Sequence, residues 1–426
     1  MSAIIVILTF LSTIEGVEIA GISLSKIMLI IFLGLLILIN IRNIKNVKTT
    51  KLLIFYCFTI ISGLLSLTRY YDYDYREIVI KFIIQIAFIY IPLLILIYND
   101  NNRYRYYEYF LKGLRMSIFI HSIWAIMQFL LYSLIKFDLN QWFFENILGM
   151  HIERGWTLFY YTGGTYLVRM SGLNFEPAIF GLLLSIGIFI EKKKSLRILY
   201  LIIITISLSR TGLVMCIITY LIKFICQKKY IFKFKFYKQF IIYLILIFTV
   251  ILVVVKNESL NYQFKVFANR FNFKSQEIMD DGTGRHIKYY PRGLEISLFR
   301  SNIMESLLGY GPRVSGIAFN ENEDIADELY ISSNRNMANK AWTVESDTIA
   351  ILLGHGIIGL LLYWMIIYDA IKYNKKFRYA IIAILIGGIM YHFYSIMLIN
   401  LILIFTTIGD ERINEYKGIK KDMSKE

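Results

Sequence analysis

Residues 256–342 read KNESLNYQFKVFANRFNFKSQEIMDDGTGRHIKYYPRGLEISLFRSNIMESLLGYGPRVSGIAFNENEDIADELYISSNRNMANKAW, the longest polar stretch of the chain. This large loop follows the apolar run Tyr243–Val255 and ends before another that begins near Thr343. Its acidic and basic residues balance, although the whole chain has a formal net charge of +15. A connection of this length without a function is unusual. We therefore expect it to form a lid or wall over any site that the apolar segments hold.

The composition is typical of a polytopic membrane protein. Of 426 residues, 57% are hydrophobic and 18% are charged, and the mean hydropathy is +0.56. In soluble domains about a quarter of the residues are charged. The basic residues form short clusters between apolar runs, which is a signal of membrane topology and not of nucleic-acid binding. We therefore expect no nucleic-acid partner.

The cysteines and the N-terminus exclude several other classes. Cys57, Cys216 and Cys226 lie within apolar runs. We therefore expect neither a disulfide framework nor a metal site built on cysteine. The N-terminus has no Lys or Arg before its apolar run and no A-x-A pattern. This favours a first membrane span over a cleaved signal peptide.

The apolar runs predict about 12 transmembrane helices, since a helix needs ~20 apolar residues to cross a bilayer. The runs are residues 3–20, 24–41, 51–67, 78–98, 109–135, 171–190, 197–209, 211–226, 239–255, 343–368, 379–391 and 394–408. The predicted fold class is an all-α polytopic membrane protein with one large extracytoplasmic loop that contains short helices. Its four parts are N-terminal helices (1–165), core helices with Arg and Glu motifs (166–255), the large loop (256–342) and C-terminal helices with a cytoplasmic tail (343–426).

Every second connection between these runs is basic. The basic clusters are Arg42–Lys51, Arg103–Arg115, Lys192–Arg197, Lys228–Lys238 and Lys372–Arg378. Because basic loops stay cytoplasmic, both termini are predicted to be cytoplasmic and the large loop to face outward. This alternation requires a turn within each of the runs 197–226 and 379–408. We place these turns near Ser209–Gly212 and His392–Ser395.

One helix is predicted inside the large loop. Pro291 suits a first helical position, and Gly309 would stop the helix. A rough apolar stripe lies between them, formed by Leu294, Leu298, Ile303 and Leu307. The segment Asn320–Asn339 is rich in acidic residues, Asn and Ser, and predicts a mobile loop.

Two motifs place charged residues at the outer ends of predicted spans. In Arg169-Met-Ser-Gly-Leu-Asn-Phe-Glu176-Pro177 a carboxylate starts a membrane helix, at a cost of roughly 2.5–3.5 kcal/mol on insertion scales. The alternative is a capping Glu176 with Arg169 at the membrane interface. In Ser209-Arg210-Thr-Gly212 a cation interrupts an apolar run, which predicts an anion site. The alternative is a turn residue paired with a carboxylate such as Glu176.

Two further motifs lie in the large loop and at the start of the tenth predicted span. Arginines and glycines recur in Gly284-Arg285-His286 and Gly309-Tyr-Gly-Pro-Arg313, and guanidinium groups suit the oxygens of a diphosphate. The alternative is a solvated, charge-balanced surface. In Glu345-Ser-Asp347, Glu345 is a candidate general base, or both carboxylates favour the helix dipole. We expect His355, deeper in this span, to be a buried histidine with its hydrogen bonds satisfied.

Together these motifs resemble the O-antigen polymerase and ligase superfamily, in particular its Wzy-type polymerases. The resemblance rests on the order of Arg169–Pro177, Ser209–Gly212, Gly284-Arg285, Leu308–Pro312 and Glu345–Gly359 around a long external loop. It covers about residues 165–365, and the first 165 residues match only as a hydrophobic pattern.

The resemblance implies a metal-independent membrane glycosyltransferase without a cofactor, at the outer face of the bacterial plasma membrane. Such a polymerase transfers a growing glycan from undecaprenyl diphosphate to the acceptor sugar of an incoming lipid-linked repeat unit. The product would be O-antigen, capsule or exopolysaccharide. The partners implied are undecaprenyl-diphosphate-linked oligosaccharide repeat units, membrane lipids and a chain-length regulator.

The resemblance also implies roles for particular residues. The catalytic residues would be Glu345, Glu176 and Arg210, with Glu345 as the base. The residues that bind diphosphate or glycan would be Arg169, Arg285, His286, Arg292, Arg300, Tyr310 and Arg313. Family members carry an R-x10-G pattern, which Arg300 and Gly311 fit and which Arg169 misses by one residue against Gly181.

Two alternative functions stay open. Ligases carry a His-Asn pair where this chain has Glu345-Ser346, so the sequence favours a polymerase over a ligase. A lipid-linked oligosaccharide flippase or a permease is the second alternative. Transporters often have internal repeats and midplane sites between broken helices, and the sequence has no internal repeat. A structural scaffold would give no reason for Arg210 or Glu176.

Overall fold

The structure is a computed structural model. It describes residues 1–14, 18–19, 22–40, 50–70, 75–100, 102–149, 158–160, 166–168, 170–174, 176–207, 209–226, 285–322, 324–325 and 346–408. For residues 18, 19, 22, 40, 158–160, 166, 167, 210, 285–289 and 408 only the backbone is described.

The described part of the chain is almost entirely helical. Its α-helices are α1 (Ser2–Ser12), α2 (Leu24–Asn40), α3 (Lys51–Arg69), α4 (Arg76–Gln85), α5 (Ile91–Asn99), α6 (Arg103–Ile135), α7 (Leu139–Trp142), α8 (Pro177–Ile190), α9 (Lys194–Ile206), α10 (Arg210–Cys226), α11 (Arg285–Glu295), α12 (Ile303–Leu308), α13 (Ile317–Asn320), α14 (Asp347–Tyr373), α15 (Arg378–Met390) and α16 (Met397–Ile408). π-Helical segments follow α4, α7 and α11 at Ile86–Tyr90, Phe143–Ile147 and Ile296–Arg300. Short antiparallel strand pairs depart from the all-α expectation: Glu18–Ile19 with Ile22–Ser23, and Leu158–Tyr160 with Tyr166–Val168.

Among the described residues, four helices are long and apolar enough to cross a membrane. They are Lys51–Arg69, the continuous Arg76–Asn99, Arg103–Ile135 and Asp347–Tyr373. The protein is therefore an α-helical membrane protein. Shorter apolar helices occupy the other expected span positions, except that 239–255 lies outside the described residues. Because these helices are too short to qualify by length, the count of about 12 spans stays a prediction.

Both interruptions predicted within the apolar runs are confirmed. Helix α9 ends at Ile206 and α10 begins at Arg210. Arg210 is therefore the first residue of a helix and not part of the turn before it. Helix α15 ends at Met390 and α16 begins at Met397, and residues 391–396, here called the C-terminal turn, connect them.

Helix α8 lies at the centre of the bundle. Its side chains are buried on nearly every face, because α6, α9, α10 and α15 surround it. A Cβ atom at Gly181 would lie 3.0 Å from the Cα atom of Gly212 in α10. Small residues allow membrane helices to approach this closely. The N-terminal ends of α8 and α10 therefore cross with their backbones in close contact.

Basic connections that are distant in the sequence meet at one end of the bundle. Lys51 pairs with Asp369 at 2.8 Å, and Lys376 pairs with Glu108 at 2.6 Å. The guanidinium of Arg115 donates to the carbonyl of Ile190 at 3.1 Å. The N-terminal parts of α3 and α6 therefore lie beside the C-terminal ends of α8 and α14. The opposite end of the bundle holds the starts of α8 and α14.

The described part of the large loop is packed onto the bundle. Helix α11 runs from Arg285 to Glu295, so the prediction that Pro291 starts a helix is wrong. Pro291 has no backbone N–H, so the helix loses one hydrogen bond at this position. The helix continues through Pro291 because it is packed against α14. The predicted stripe is broken at Ser301–Asn302, where Asn302 caps α12 together with Glu305. Helix α12 ends at Gly309, as predicted, with φ of 78°.

Candidate functional site

A buried polar site lies at the end of the bundle opposite the basic connections. The C-terminal end of α15 separates the starts of α10 and α14 there. A Cβ atom at Gly387 would lie 2.7 Å from Sδ of Met215 in α10, and one at Gly388 would lie 2.5 Å from Oδ2 of Asp347 in α14. Helix N-termini carry a partial positive charge and unpaired N–H groups. Because α8, α10 and α14 all begin here, this end suits an anion.

Asp347 is the buried carboxylate of the site. Its side chain lies at the first residue of α14, and its Oδ1 accepts hydrogen bonds from the backbone N–H groups of Phe393 at 2.6 Å and Tyr394 at 2.8 Å. These bonds fix the C-terminal turn against the start of α14. Nδ1 of His392 lies 3.7 Å from the same oxygen, beyond hydrogen-bond range. Asp347 is therefore a positioning residue for His392 and Tyr394.

His392 is a neutral histidine at the centre of the C-terminal turn. Its Nε2 lies 2.8 Å from Oγ of Ser395, and its Nδ1 has no hydrogen-bond partner among the described residues. Burial, together with the smaller effect of the nearby charge of Arg313, lowers the pKa of His392 to about 3. At neutral pH this ring therefore carries no charge.

Arg313 is the cation of the site. Its backbone N–H donates to Oη of Tyr394 at 3.3 Å, and its guanidinium lies 5.7 Å from the ring centre of Phe82. Its φ of 62° places a non-glycine residue in the left-handed region. Such strain persists only where the surrounding structure imposes it, and it is concentrated at functional sites. The backbone of Arg313 is constrained by the preceding Pro312 and by its hydrogen bond to the buried Tyr394.

The segment Gly309–Pro312 lies in a kink of α14. Gly356 interrupts that helix with φ of 66° and ψ of −173°. The carbonyls of Leu353 and Gly354 accept hydrogen bonds from the backbone N–H groups of Tyr310 at 2.7 Å and Gly311 at 2.9 Å. A side chain at Gly309 would collide with the backbone of Gly354. Gly309 and Gly356 therefore allow the backbones of the large loop and of α14 to be in direct contact.

Two serines of α3 complete this contact from the other side. Oγ of Ser62 donates to the carbonyl of Leu308 at 2.7 Å, and Oγ of Ser66 donates to that of Tyr310 at 2.6 Å. The ring of Tyr310 stacks on Tyr70 with centres 5.7 Å apart. The family resemblance implies a substrate-binding role for Tyr310. The structure places its ring between α3 and the large loop, where it is buried.

His355 lies deeper in the bundle than the site, further along α14 than Asp347. Its ring is fully buried, and its centre lies 5.6 Å from that of Phe55 and 5.8 Å from that of Tyr394. Neither ring nitrogen has a hydrogen-bond partner among the described residues. The expectation of a satisfied histidine is therefore wrong, because aromatic side chains pack against this ring where polar partners were expected.

The motif before α8 is held by polar residues that the sequence analysis missed. Nδ1 of His121 accepts from the N–H of Leu173 at 3.1 Å, and Oε1 of Gln128 accepts from that of Ser171 at 3.3 Å. Nδ2 of Asn140 donates to the carbonyl of Gly172 at 3.0 Å. Polar residues inside a predicted span are the signal that would have indicated this role. These contacts set the position from which Glu176 enters α8 as its exposed N-cap residue.

The other loop arginines that are described with side chains lie in ion pairs. Arg292 bonds Glu295 at 2.6 Å, and Arg300 bonds both Glu295 and Asp324 at 2.7 Å. These contacts lower the pKa of Glu295, with Arg292 as the larger cause, and Arg300 lowers the pKa of Asp324. A diphosphate would have to replace these carboxylates before it bound Arg292 or Arg300.

The remaining predicted site residues are described less fully. Arg210, Arg285 and His286 lie at the N-terminal ends of α10 and α11, where only their backbone is described. Arg169 and Glu345 lie outside the described residues. The middle of α11 is near the site, because Tyr290 donates to the carbonyl of Ile389 and accepts from Ser346, both at 2.9 Å. The predicted residues that the structure describes thus belong to elements that meet at one end of the bundle.

No model of a known protein family matches the chain, and no curated protein matches it either. The chemistry of the site therefore has to be inferred from its geometry. Arg313, the helix N-termini and the hydroxyl of Tyr394 can attract and hold an anion, and Asp347 fixes the turn that carries Tyr394. Within the described ranges, no three His, Cys, Asp or Glu side chains are grouped so that they could hold a metal ion.

Proposed function

We propose that this protein is a polysaccharide polymerase of the bacterial plasma membrane. It would transfer a growing glycan from undecaprenyl diphosphate to an incoming lipid-linked repeat unit at the outer face. The observation that supports this proposal most is the group formed by the half-buried Arg313 and His392 and the buried Tyr394 and Asp347, beside three helix N-termini. In it, Arg313 would supply the cation, and the helix starts would supply the N–H groups, that a diphosphate leaving group requires.

The diphosphate would bind between Arg313 and the starts of α8, α10 and α14. When the acceptor hydroxyl attacks the anomeric carbon, the bond from this carbon to the diphosphate oxygen breaks and negative charge develops on the leaving group. Cations and N–H groups that are already in place stabilise such charge without reorganisation. Arg210, at the start of α10, is positioned by its backbone to contribute a second cation.

The acceptor hydroxyl must lose its proton to a base. An efficient base has a pKa near the working pH, and burial lowers that of His392 to about 3. Asp347 already accepts two backbone hydrogen bonds. We therefore assign the base to Glu345, two residues before Asp347 on the side of the large loop, with Glu176 at the start of α8 as the second carboxylate.

The end of the bundle that holds this site would face outward. Lys51, Lys376 and Arg115 belong to connections that meet at the opposite end. Basic residues near span ends stay on the cytoplasmic side. This orientation gives a substrate that has already crossed the membrane direct access to Arg313.

The proposal is tested with the purified full-length protein in detergent and a lipid-diphosphate-linked oligosaccharide as the only substrate. The expected result is a ladder of chain lengths in mass spectra, formed in the presence of EDTA and without nucleotide or ion gradient. A Glu345→Gln variant should form the ladder at least about 100-fold more slowly, in line with general-base contributions, while it still binds the substrate.

Each alternative function would give a different result in this experiment. A flippase would move the substrate across sealed liposomes and leave its length unchanged. A ligase would attach the glycan to a separate lipid acceptor and form no ladder from the repeat unit alone. Either result would overturn the polymerase proposal.

A further inference from the structure

The part of the large loop before Arg313 carries an apolar surface that no described residue covers. Its exposed side chains are Leu294, Leu298, Phe299, Ile303, Met304 and Leu307, with Phe299 83% and Ile303 78% exposed. These residues lie on α11, the π-helical turn that follows it, and α12. Large contiguous apolar patches mark contact with protein or membrane.

The backbone of this segment descends alongside two candidate membrane spans. Glu305, in the first turn of α12, accepts from Oη of Tyr70 at the end of α3, whereas Leu308 contacts Ser62. Ser62 lies seven residues before the end of α3 at Arg69, or roughly 10 Å along a helix. Helix α12 thus runs down α3 instead of away from it.

The part of the segment farthest from the outer ends of α3 and α14 lies beside the kink of α14. Leu308 and Gly309 contact the backbone of α14 at Gly354–Gly356. Gly356 is nine residues after Asp347, which corresponds to about 13 Å along the helix. The hydrocarbon core of a bilayer is about 30 Å thick. The chain then returns, because Tyr310 bonds Ser66, one turn above Ser62.

The hydrogen bonds of the turn agree with a location inside the membrane. Irregular backbone is tolerated at membrane depth only where protein satisfies its polar groups. Here Leu353 and Gly354 accept from the N–H groups of Tyr310 and Gly311, and Ser62 and Ser66 donate to the carbonyls of Leu308 and Tyr310.

We propose that Arg285–Arg313 is a re-entrant segment whose apolar face binds the hydrocarbon of the bilayer. The occupant is lipid, because the segment packs against two candidate spans whose own outward side chains are exposed and apolar. These side chains include Ile61 and Leu64 of α3, and Ile358 and Leu361 of α14. The segment thus places Gly309–Pro312 deeper in the membrane than the outer ends of α3 and α14. This inference concerns the membrane and holds whatever reaction the protein catalyses.

The test places single nitroxide labels on the full-length protein in liposomes, with its three native cysteines replaced by Ala. Labels replace Leu298, Phe299 and Ile303 in turn. Phe88, which is exposed on the candidate span Arg76–Asn99, is the lipid control, and Glu321 is the aqueous control. Collisions with oxygen, which concentrates in lipid, are compared with collisions with a water-soluble nickel chelate.

The expected result is frequent collision with oxygen and rare collision with nickel at all three positions, as at Phe88. Frequent collision with nickel, as at Glu321, would mean that the segment lies in water and would overturn the proposal. Rare collision with both reagents would mean that protein covers the face, such as a second copy of the chain, and would overturn it too. Each labelled protein must first elute as the unlabelled one does in size-exclusion chromatography.

Discussion

At the scale of single residues, the site depends on a strained arginine. Arg313 follows Pro312 and adopts a left-handed backbone conformation with φ of 62°. Asn and Asp tolerate this region better than other non-glycine residues. The presence of Arg here, with its N–H on Tyr394, leads us to expect that the side chain is needed at this position.

A substitution at position 313 separates the charge of this residue from its backbone strain. Arg313→Asn should lower the rate of chain lengthening by about 100-fold or more, comparable to the loss of one stabilising group for a developing charge. Asn fits the left-handed conformation, so the fold should be retained. Arg313→Lys should restore little of the rate, because Lys lacks the planar fork. Rates of ladder formation measure both effects.

A control for this prediction removes a cation from the other end of the bundle. Lys375 is exposed beside the start of α15, and Lys375→Ala should leave the rate unchanged. Equal rates for wild type, Arg313→Asn and Arg313→Lys would exclude Arg313 from the reaction.

At the scale of elements, the contact between Gly309–Pro312 and the kink of α14 joins the large loop to the bundle. Both segments of the contact need glycine. Gly309 and Gly356 have positive φ, and a side chain at either would meet the backbone of the other segment. The loop therefore cannot open at this point without losing the hydrogen bonds to Leu353 and Gly354.

Gly309→Ala should destabilise the protein by about 2–5 kcal/mol, combining roughly 1–3 kcal/mol for backbone strain with a similar cost for overpacking. The midpoint of thermal unfolding in detergent should fall by at least about 5 °C. The matched control is Gly34→Ala in α2, where an added Cβ meets no atom within 4 Å. An equal midpoint for the two variants would show that the contact contributes nothing to stability.

The elements differ in how far their sequence predicts them. The apolar runs predict the helices well, and the breaks near Ser209 and His392 follow from the alternation of basic connections. The sequence does not predict that Pro291 lies inside a helix, because packing of α11 against α14 stabilises that helix. It also cannot predict the kink at Gly356, because its partner Gly309 is far away in the chain.

The candidate site was predictable only in part for the same reason. Arg313 stands in a motif that the sequence singles out, whereas Tyr394 and His392 stand only at a predicted turn. Asp347 brings them together through two hydrogen bonds that span more than forty residues of chain. His121 and Gln128 likewise hold the motif before α8 from another helix. Local periodicity carries no information about such distant partners.

At the scale of the whole molecule, the bundle has two chemically different ends. One end holds the ion pairs of Lys51 and Lys376. The other holds the starts of α8, α10 and α14 and the buried group around Arg313. The proposed function requires the second end to bind the lipid diphosphate from outside the cell.

The most direct measurement of this claim is photochemical labelling of membrane vesicles. A short-chain polyprenyl diphosphate that carries a diazirine is added to right-side-out and to inside-out vesicles containing the full-length protein, and mass spectrometry identifies the labelled peptides. If the proposed function is correct, label enters peptides containing Arg313 and residues 391–396 in right-side-out vesicles, and excess unlabelled lipid diphosphate suppresses this labelling. Labelling around Lys372–Arg378, or only in inside-out vesicles, would contradict the proposed function.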